Sequence, residues 1–396
     1  MATFKTISSA DIKTTRTTLN QLVDFIEEDL SGSSTRKKYQ VFVTSSGEKA
    51  LTSSLFHTVY DQQYNLQTAN EIMDLTYGMF SGSGHVSSAS IGVDTNGKIL
   101  FNVSSSMMRE KINIYRQYSQ MLLGDANIQF SAPFASSTAT DKIESALFLN
   151  FKRLFVRDGI KRESFAMRFY QSSSNPTGVL SPDNITGLTA GMPASGAVIF
   201  TDVGSAAALE RSQFGGDVGN LVLASDTTQT VGLLFYQQGI AILDLKKSLW
   251  GNQTMIGTIP TCISSGDSVI TASFIPHFVN SASIDTILDH IATSRFSSGS
   301  NTCLTFQNNT QINSTLVFCR ATADEFNYSS NPTYTNSEGR VLVIDESEAG
   351  TQKSFSFVTT IGLYDANEEL LATAKLSRPV EKNDEKDLTF RVRLDF

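Results

Sequence analysis

The last nine residues, Leu388-Thr389-Phe390-Arg391-Val392-Arg393-Leu394-Asp395-Phe396, alternate strictly between apolar and polar side chains. A period of two is typical of a β-strand that buries one face, and it predicts that the apolar side chains, Phe396 included, are directed to a core. Such a strand must pair, because its backbone donors and acceptors need partners. We expect it either to close a sheet of its own chain or to pair with a neighbouring subunit.

A β-hairpin is predicted just before this strand. Residues 355–364 and 370–376 form its two strands, and Asp365-Ala366-Asn367-Glu368 forms the turn. The pair Arg378-Pro379 is expected to end the second strand, because proline has no N–H to donate to a ladder. The sequence thus predicts a C-terminal β assembly module at residues 346–396, in which 355–364 and 388–396 form an assembly sheet. The alternative is that these strands close only their own sheet.

Short strands recur between residues 161 and 345. Alternating patterns and turns that contain glycine predict strands at 165–169, 197–201, 221–224, 230–236, 240–245, 268–275, 303–307 and 314–320. A turn at Asn308-Asn309 is expected between the last two strands, and a short helical stretch at 283–293 precedes them. This pattern predicts an antiparallel β-rich domain with a sandwich or barrel-like form.

Helical spacing of apolar residues dominates residues 1–160. It predicts amphipathic helices at 9–30, 106–123 and 140–157, together with one short strand at 39–44. The predicted fold class is therefore α+β. It has a mixed helical N-terminal domain (1–160), then the antiparallel β-rich domain (161–345), then the C-terminal β-hairpin with its terminal strand (346–396).

Composition limits the kinds of partner this chain can have. It has 396 residues, a net charge of −8, 26 Phe and 11 Tyr. Nucleic acids and anionic membranes are bound mainly through basic surfaces, so we expect neither as a direct partner. No window approaches the roughly 18 apolar residues that span a bilayer, and the first residues lack the apolar region of a secretory signal. We expect synthesis in a reducing cytoplasm, with Cys262, Cys303 and Cys319 as free thiols.

No motif in the sequence predicts a reaction centre. The four histidines lack the i, i+4 spacing of a zinc-binding pair. Asp285, Asp289 and His290 on the predicted short helix could ligate a metal, but charged residues on a solvated helix face are the simpler interpretation. The glycine clusters fit neither a dinucleotide-binding loop nor a phosphate-binding loop. We therefore predict no enzyme activity, no cofactor and no metal site.

Several short segments resemble those of virion structural proteins from T4-like and marine (cyanobacterial-type) contractile-tailed bacteriophages. The resemblance is carried by VTTIGLYD (358–365) with ELLATAKL (369–376), SADIKTTR (9–16), SLFHTVYD (54–61), VGLLFYQQG (231–239) and EFNYSSNPTY (325–334). These segments are spread over nearly the full length. The resemblance implies a baseplate wedge or other tail protein that assembles by protein contacts, in multiple copies, within the virion of a phage made in a bacterial cytoplasm. It brings no catalytic residues.

Aromatic side chains are the candidate contact residues in this interpretation. Large, mostly uncharged interfaces use aromatic anchors, and the candidates here are Phe326, Tyr328, Tyr334, Tyr364, Phe390 and Phe396. Two alternatives stay open. One is a receptor-binding module for host glycans, which would need aromatic grooves in the loops at 172–187 or 251–262. The other is a neck or head-tail connector protein.

Overall fold

The computed structural model describes residues 4–26, 36–43, 51–62, 66–82, 86–87, 92–93, 99–102, 105–172, 195–204, 211–249, 252–254, 271–273, 279, 282–285, 287–288, 291, 302–328, 331–337, 341, 351 and 353–396. The chain divides into two compact units. The terminal unit contains Met1–Thr18 and Gln311–Phe396, and the central unit contains Leu19–Thr310. The first and last segments of the chain thus fold together, whereas the sequence predicted boundaries after residues 160 and 345.

The described residues are mainly β-strands. The strands are β1 (Ile12–Ile26), β2 (Arg36–Val43), β3 (Leu51–Tyr60), β4 (Glu71–Met79), β5 (Val86–Ser87), β6 (Gly92–Val93), β7 (Ile99–Asn102), β8 (Ser145–Phe151), β9 (Gly159–Ile160), β10 (Ala166–Ser172), β11 (Ser195–Thr201), β12 (Arg211–Gln213), β13 (Gly216–Leu223), β14 (Asp226–Phe235), β15 (Ile240–Asp244), β16 (Asn252–Thr254), β17 (Thr271–Ser273), β18 (Thr302–Ala321), β19 (Ser356–Tyr364), β20 (Leu370–Lys382) and β21 (Leu388–Asp395). The helices are α1 (Ser106–Leu123), α2 (Arg153–Val156) and α3 (Leu245–Ser248), with 3-10 turns at Ser9–Asp11 and Ala139–Asp141.

The central unit is built on one antiparallel sheet. Its strand order is β18-β10-β11-β13-β14-β15-β8-β4-β3-β2, with β18 contributing its N-terminal part. The middle strands β8 and β15 are buried almost throughout, and Leu147 lies opposite Leu243. The predicted antiparallel strands at 197–201, 221–224, 230–236 and 240–245 are confirmed. The neighbouring strands in this order pair antiparallel, whereas β5 pairs parallel with β7.

Helix α1 packs against β4, and it confirms the predicted helix at 106–123. Gly78 allows this close approach, because a Cβ there would lie 2.8 Å from the backbone nitrogen of Tyr115. The buried Tyr115 hydroxyl donates to the carbonyl of Ile143 (2.7 Å) and accepts from the N–H of Phe130 (3.0 Å). Because both of these hydrogen bonds form, the polar hydroxyl of Tyr115 can be buried in an apolar core. The helix ends at Gly124 with φ of 85°.

The predicted helices at 9–30 and 140–157 are wrong. The first segment is the 3-10 turn Ser9–Asp11 followed by β1. Its threonines are β-branched, and their restricted χ1 angles favour a strand once a neighbour is present. The second segment contains β8, whose continuous apolar run is buried in the middle of the sheet. Periodicity does not separate such a strand from a buried helix. The helices in the described N-terminal residues are therefore α1 and the short α2.

The predicted turn at Asn308-Asn309 is also wrong, since β18 runs unbroken from Thr302 to Ala321. The buried Asn308 amide donates to the carbonyl of Phe155 (2.7 Å), and its side-chain oxygen accepts from the N–H of Gln21 (3.3 Å). These bonds satisfy a turn-forming residue inside a strand. Cys303 and Cys319 consequently lie on the same strand.

A buried lysine holds the segment that precedes the predicted short helix. Lys111 on α1 is fully buried, and its Nζ donates to the carbonyls of Val279 (2.6 Å) and Ala282 (2.8 Å). Burial lowers the pKa of Lys111 to about 7. The described residues from 284 to 291 are helical and largely buried, which agrees with the predicted helical stretch at 283–293. Trp250 and Cys262 lie outside the described residues.

Candidate interaction surface

The terminal strand closes a sheet of its own chain. Strand β21 pairs antiparallel with β18, from Leu388 opposite Ala321 to Asp395 opposite Ser314. Phe396 continues the ladder, because its N–H donates to the Asn313 carbonyl (2.9 Å) and its carbonyl accepts from the Asn313 N–H (3.1 Å). The side chain of Phe396 is 76% exposed, so the prediction that it faces a core is wrong. The backbone at the end is fixed while the ring remains available for contact.

The hairpin of β19 and β20 is a separate two-stranded sheet. The predicted strand at 355–364 is confirmed, but β20 continues to Lys382 instead of ending before Arg378-Pro379. The pairing register shifts between Val358 and Thr360, which pair with Val380 and Lys375. The proline therefore lies where the ladder is interrupted, and a bulge accommodates its missing N–H. Strands β19 and β21 belong to different sheets, so the predicted common assembly sheet is wrong.

The core of the terminal unit is small. Val317, Leu363 and Val392 form its buried cluster, one residue from each of β18, β19 and β21. Partly buried side chains surround them, namely Ile7, Cys319, Ile361, Ala372, Ala374 and Leu394. Because Leu363 faces this cluster, the neighbouring residues of β19 face away from it.

One exposed apolar cluster lies at the turn end of the hairpin. Tyr364 (45% exposed) is opposite Leu370 (56% exposed), and the Phe4 ring meets Tyr364 edge-on with ring centroids 4.9 Å apart. Both Tyr364 and Leu370 cover Gly362, where a Cβ would lie 2.7 Å from the tyrosine ring. We call Phe4, Tyr364 and Leu370 the turn-end cluster. It presents a rigid aromatic edge beside a flexible aliphatic side chain.

A second exposed aromatic group lies at the open end of the hairpin. The loop at residues 322–328 presents Phe326 (37% exposed) and Tyr328 (43% exposed). The Phe326 carbonyl accepts a bond from Ser356 Oγ (3.5 Å), and Phe357, next to Ser356, is 53% exposed. We call residues 322–328 the aromatic loop. It places two rings on the surface beside the first residues of β19.

A buried lysine organises the aromatic loop from beneath. Lys382 is fully buried, and its Nζ donates to the carbonyls of Ala323 (3.1 Å) and Asn383 (2.7 Å) and to Asn327 Oδ1 (2.8 Å). Asp387 accepts from the N–H of Ala323 at 2.7 Å. All three protons of the ammonium group therefore have acceptors. Lys382, the last residue of β20, binds the loop at Ala323 and at Asn327.

Charge and backbone strain further define this loop. Glu325 forms an ion pair with Lys5, and the hydrogen bond from Lys5 is the main reason that the pKa of Glu325 is lowered to about 2. Phe326 has a φ of 56°, a left-handed conformation that is unusual for a bulky residue. Such strain persists only where the surroundings over-determine the backbone, and it is common at binding sites.

The predicted contact residues separate into two groups. Phe326, Tyr328, Tyr364 and Phe396 are exposed, while Tyr334 and Phe390 are half-buried. Phe390 lies opposite Cys319, two residues before the buried Val392. Sequence reasoning missed Phe4, Phe357, Leu370 and Lys382. Strict alternation along β19 would place Phe357 and Tyr364 on different faces, but the burial pattern changes phase between Val358 and Ile361, close to the register shift, and both side chains are exposed.

The candidate metal ligands are only partly described. Asp285 Oδ1 lies 2.8 Å from Nε2 of the buried His57, and Asp289 and His290 lie outside the described residues. Among the residues that the structure describes, no group of three or more His, Cys, Asp or Glu could hold a metal ion. The loops on which the glycan alternative depends, 172–187 and 251–262, are outside the described residues except for Ser172 and 252–254.

No described helix is both long enough and apolar enough to cross a membrane. Comparisons with protein families, curated proteins and solved structures gave no match to this chain.

Proposed function

We propose that this chain is a structural component of a contractile-tailed bacteriophage virion, in the baseplate wedge or another part of the tail, and that it assembles through protein contacts. The resemblance in the segments 9–16, 54–61, 231–239, 325–334 and 358–376 supports the virion assignment. Two of these segments carry exposed rings of the terminal unit, namely Phe326 and Tyr328 in one and Tyr364 in the other. The same residues thus support the resemblance and the contact role.

The observation that carries the proposal is the aromatic loop with its buried support. Interface anchors bind best when they are held rigid before binding, because less conformational entropy is then lost. Lys382, Asp387 and the Lys5–Glu325 ion pair hold the loop, while Phe326 and Tyr328 stay exposed. A purely internal role for these rings would not require that exposure. Aromatic anchors of this kind dominate the energy of protein–protein interfaces.

Particle composition tests the virion assignment. Purified particles of the phage that encodes this chain, analysed by quantitative mass spectrometry, should contain it at a fixed copy number relative to the tail proteins. Presence of the chain in the lysate but not in purified particles would contradict the assignment.

Substitution of the loop anchors tests the contact role. The double variant Phe326→Ala/Tyr328→Ala should reduce incorporation into particles by about tenfold or more, since one interface hot spot is worth about 2 kcal/mol. A matched control is Leu154→Ala on α2, which removes a side chain that is also exposed (49%) but lies in the central unit. Equal incorporation of the loop variant and the control would contradict a contact role for the loop.

A further inference from the structure

Strand β1 is exposed to an unusual degree for a long strand. Each residue from Ile12 to Leu22 is exposed, and Leu19 and Leu22 reach 54% and 65%. In the sheet formed by the described residues, β1 has a single neighbour, β18. From Ile12 to Leu22 both faces of β1 are therefore exposed, and among the described residues one of its backbone edges has no neighbouring strand, whereas Phe25 further along the strand is buried. An open edge of this length is a template for pairing with another chain.

One hydrogen bond shows which residues of β1 direct their backbone groups away from β18. The N–H of Gln21 donates to Asn308 Oδ1 on β18, so Gln21 directs its backbone groups toward β18. Backbone groups alternate in direction along a strand. Thr18, Asn20 and Leu22 consequently direct their N–H and carbonyl groups away from β18, to the open edge.

We propose that β1 pairs with β1 of a second copy of this chain, antiparallel, with the two-fold axis at Asn20. Charge along the strand favours this partner and this direction. The basic residues Lys13 and Arg16 lie in the first half of β1, and the acidic Asp24 lies in the second half. Antiparallel pairing brings opposite charges together, whereas parallel in-register pairing would place like charges side by side.

The backbone groups of β1 that are directed to the open edge also limit the register of the pair formed by the two copies of β1. Outward-facing residues of one copy must lie opposite outward-facing residues of the other, which limits the shifts to steps of two residues. With Asn20 opposite Asn20, Arg16 lies opposite Asp24 and Thr18 lies opposite Leu22, each twice by symmetry. The neighbouring registers place Arg16 opposite Leu22 or Ile26 and lose both ion pairs. The resulting interface is isologous, as in most homodimers.

This proposal goes beyond the virion assignment and does not depend on it. Dimerisation is a property of the purified chain, so it can hold if the chain is absent from particles and can fail if the chain is present in them.

Charge reversal tests the proposed dimer on the full chain by analytical ultracentrifugation. The wild type should sediment with twice the 43.2 kDa mass of one chain. Arg16→Asp or Asp24→Arg alone should weaken dimerisation by about tenfold or more, since each exchanges two cross-strand attractions for two repulsions. The double variant should dimerise again, and an equimolar mixture of the two single variants should form a heterodimer.

Arg153→Asp is the matched control, because Arg153 is exposed (87%) on α2 and its reversal should leave the dimer intact. Circular dichroism of each variant checks that the fold is retained. A wild type that stays monomeric at about 100 µM, where even weak dimers assemble, would overturn the proposal. Dimerisation that is insensitive to the single reversals, or that the double variant does not restore, would overturn it as well.

Discussion

Replacing Lys382 by methionine should loosen the aromatic loop without disturbing the central unit. Methionine has a similar length and fills the same buried space, but it provides none of the three donors. The carbonyls of Ala323 and Asn383 and the side-chain oxygen of Asn327 would then lose their partner. An acceptor left without a partner in a buried site costs about 1–3 kcal/mol.

The expected loss of unfolding free energy is smaller than the sum over three acceptors. Water can reach acceptors in an exposed loop, so we expect about 2–4 kcal/mol for the terminal unit in total. For a unit of about 100 residues this corresponds to a melting temperature that is lower by about 10 °C or more. The buried core of this unit, Val317, Leu363 and Val392, is small, so it contributes little free energy of unfolding to offset this loss.

Hydrogen exchange followed by mass spectrometry measures this effect peptide by peptide in the full chain. Peptides that cover residues 322–328 should exchange faster in Lys382→Met, while peptides from β13 to β15 should be unchanged. The control is Lys386→Met, because Lys386 is half exposed and pairs only on the surface with Glu381 (2.9 Å). Such a pair is worth about 0–1 kcal/mol. Equal exchange in the two variants would refute the role assigned to Lys382.

Three further outcomes are expected. Gly78→Ala should destabilise the central unit by about 1–3 kcal/mol in urea unfolding, because its Cβ would meet the backbone of α1, whereas Gly82→Ala would meet only a side chain and should cost less. Deleting residues 388–396 should make the protein insoluble by opening an edge of β18, whereas deleting Phe396 alone should not. Between pH 7 and 10.5 the unfolded chain binds a proton at Lys111 that the folded chain releases, so stability should rise with pH by up to about 1.4 kcal/mol per unit. Lys111→Met should lack this rise, and an identical pH dependence in both proteins would contradict the assignment.

Local pattern predicted the elements whose partners are close in sequence. Strands β14 and β15 alternate or form short apolar runs and are joined by a tight turn with Gly239 in the left-handed region (φ 64°). The hairpin of β19 and β20 is predictable for the same reason. In each case the sequence that forms the element also forms its neighbour, so no distant contact decides the outcome.

Distant contacts decided the elements that were predicted wrongly. Strand β1 has helical spacing of its apolar residues, but it pairs with β18, nearly three hundred residues away in the chain. Asn308-Asn309 has the composition of a turn, yet the Asn308 side chain is bonded to Phe155 and Gln21. Tertiary hydrogen bonds outweigh such local preferences, which are worth about 1 kcal/mol or less per residue.

The candidate surface was predictable only in its aromatic residues. Phe326, Tyr328, Tyr364 and Phe396 are exposed, as a contact role requires. Lys382 lies in a run of charged residues that is typical of a solvated turn. Its burial depends on Ala323 and Asn327, which are more than fifty residues away in sequence.

Photo-crosslinking inside intact particles tests most directly whether this chain is a building block held by its terminal unit. A photoreactive phenylalanine analogue would replace Phe326 in the full chain during phage growth, and purified particles would then be irradiated. We predict a covalent adduct between this chain and a neighbouring virion protein, with no comparable adduct when the analogue replaces Phe214 of the central unit, which is 76% exposed. Particles that lack the chain, or that contain it without an adduct at position 326, would contradict the account.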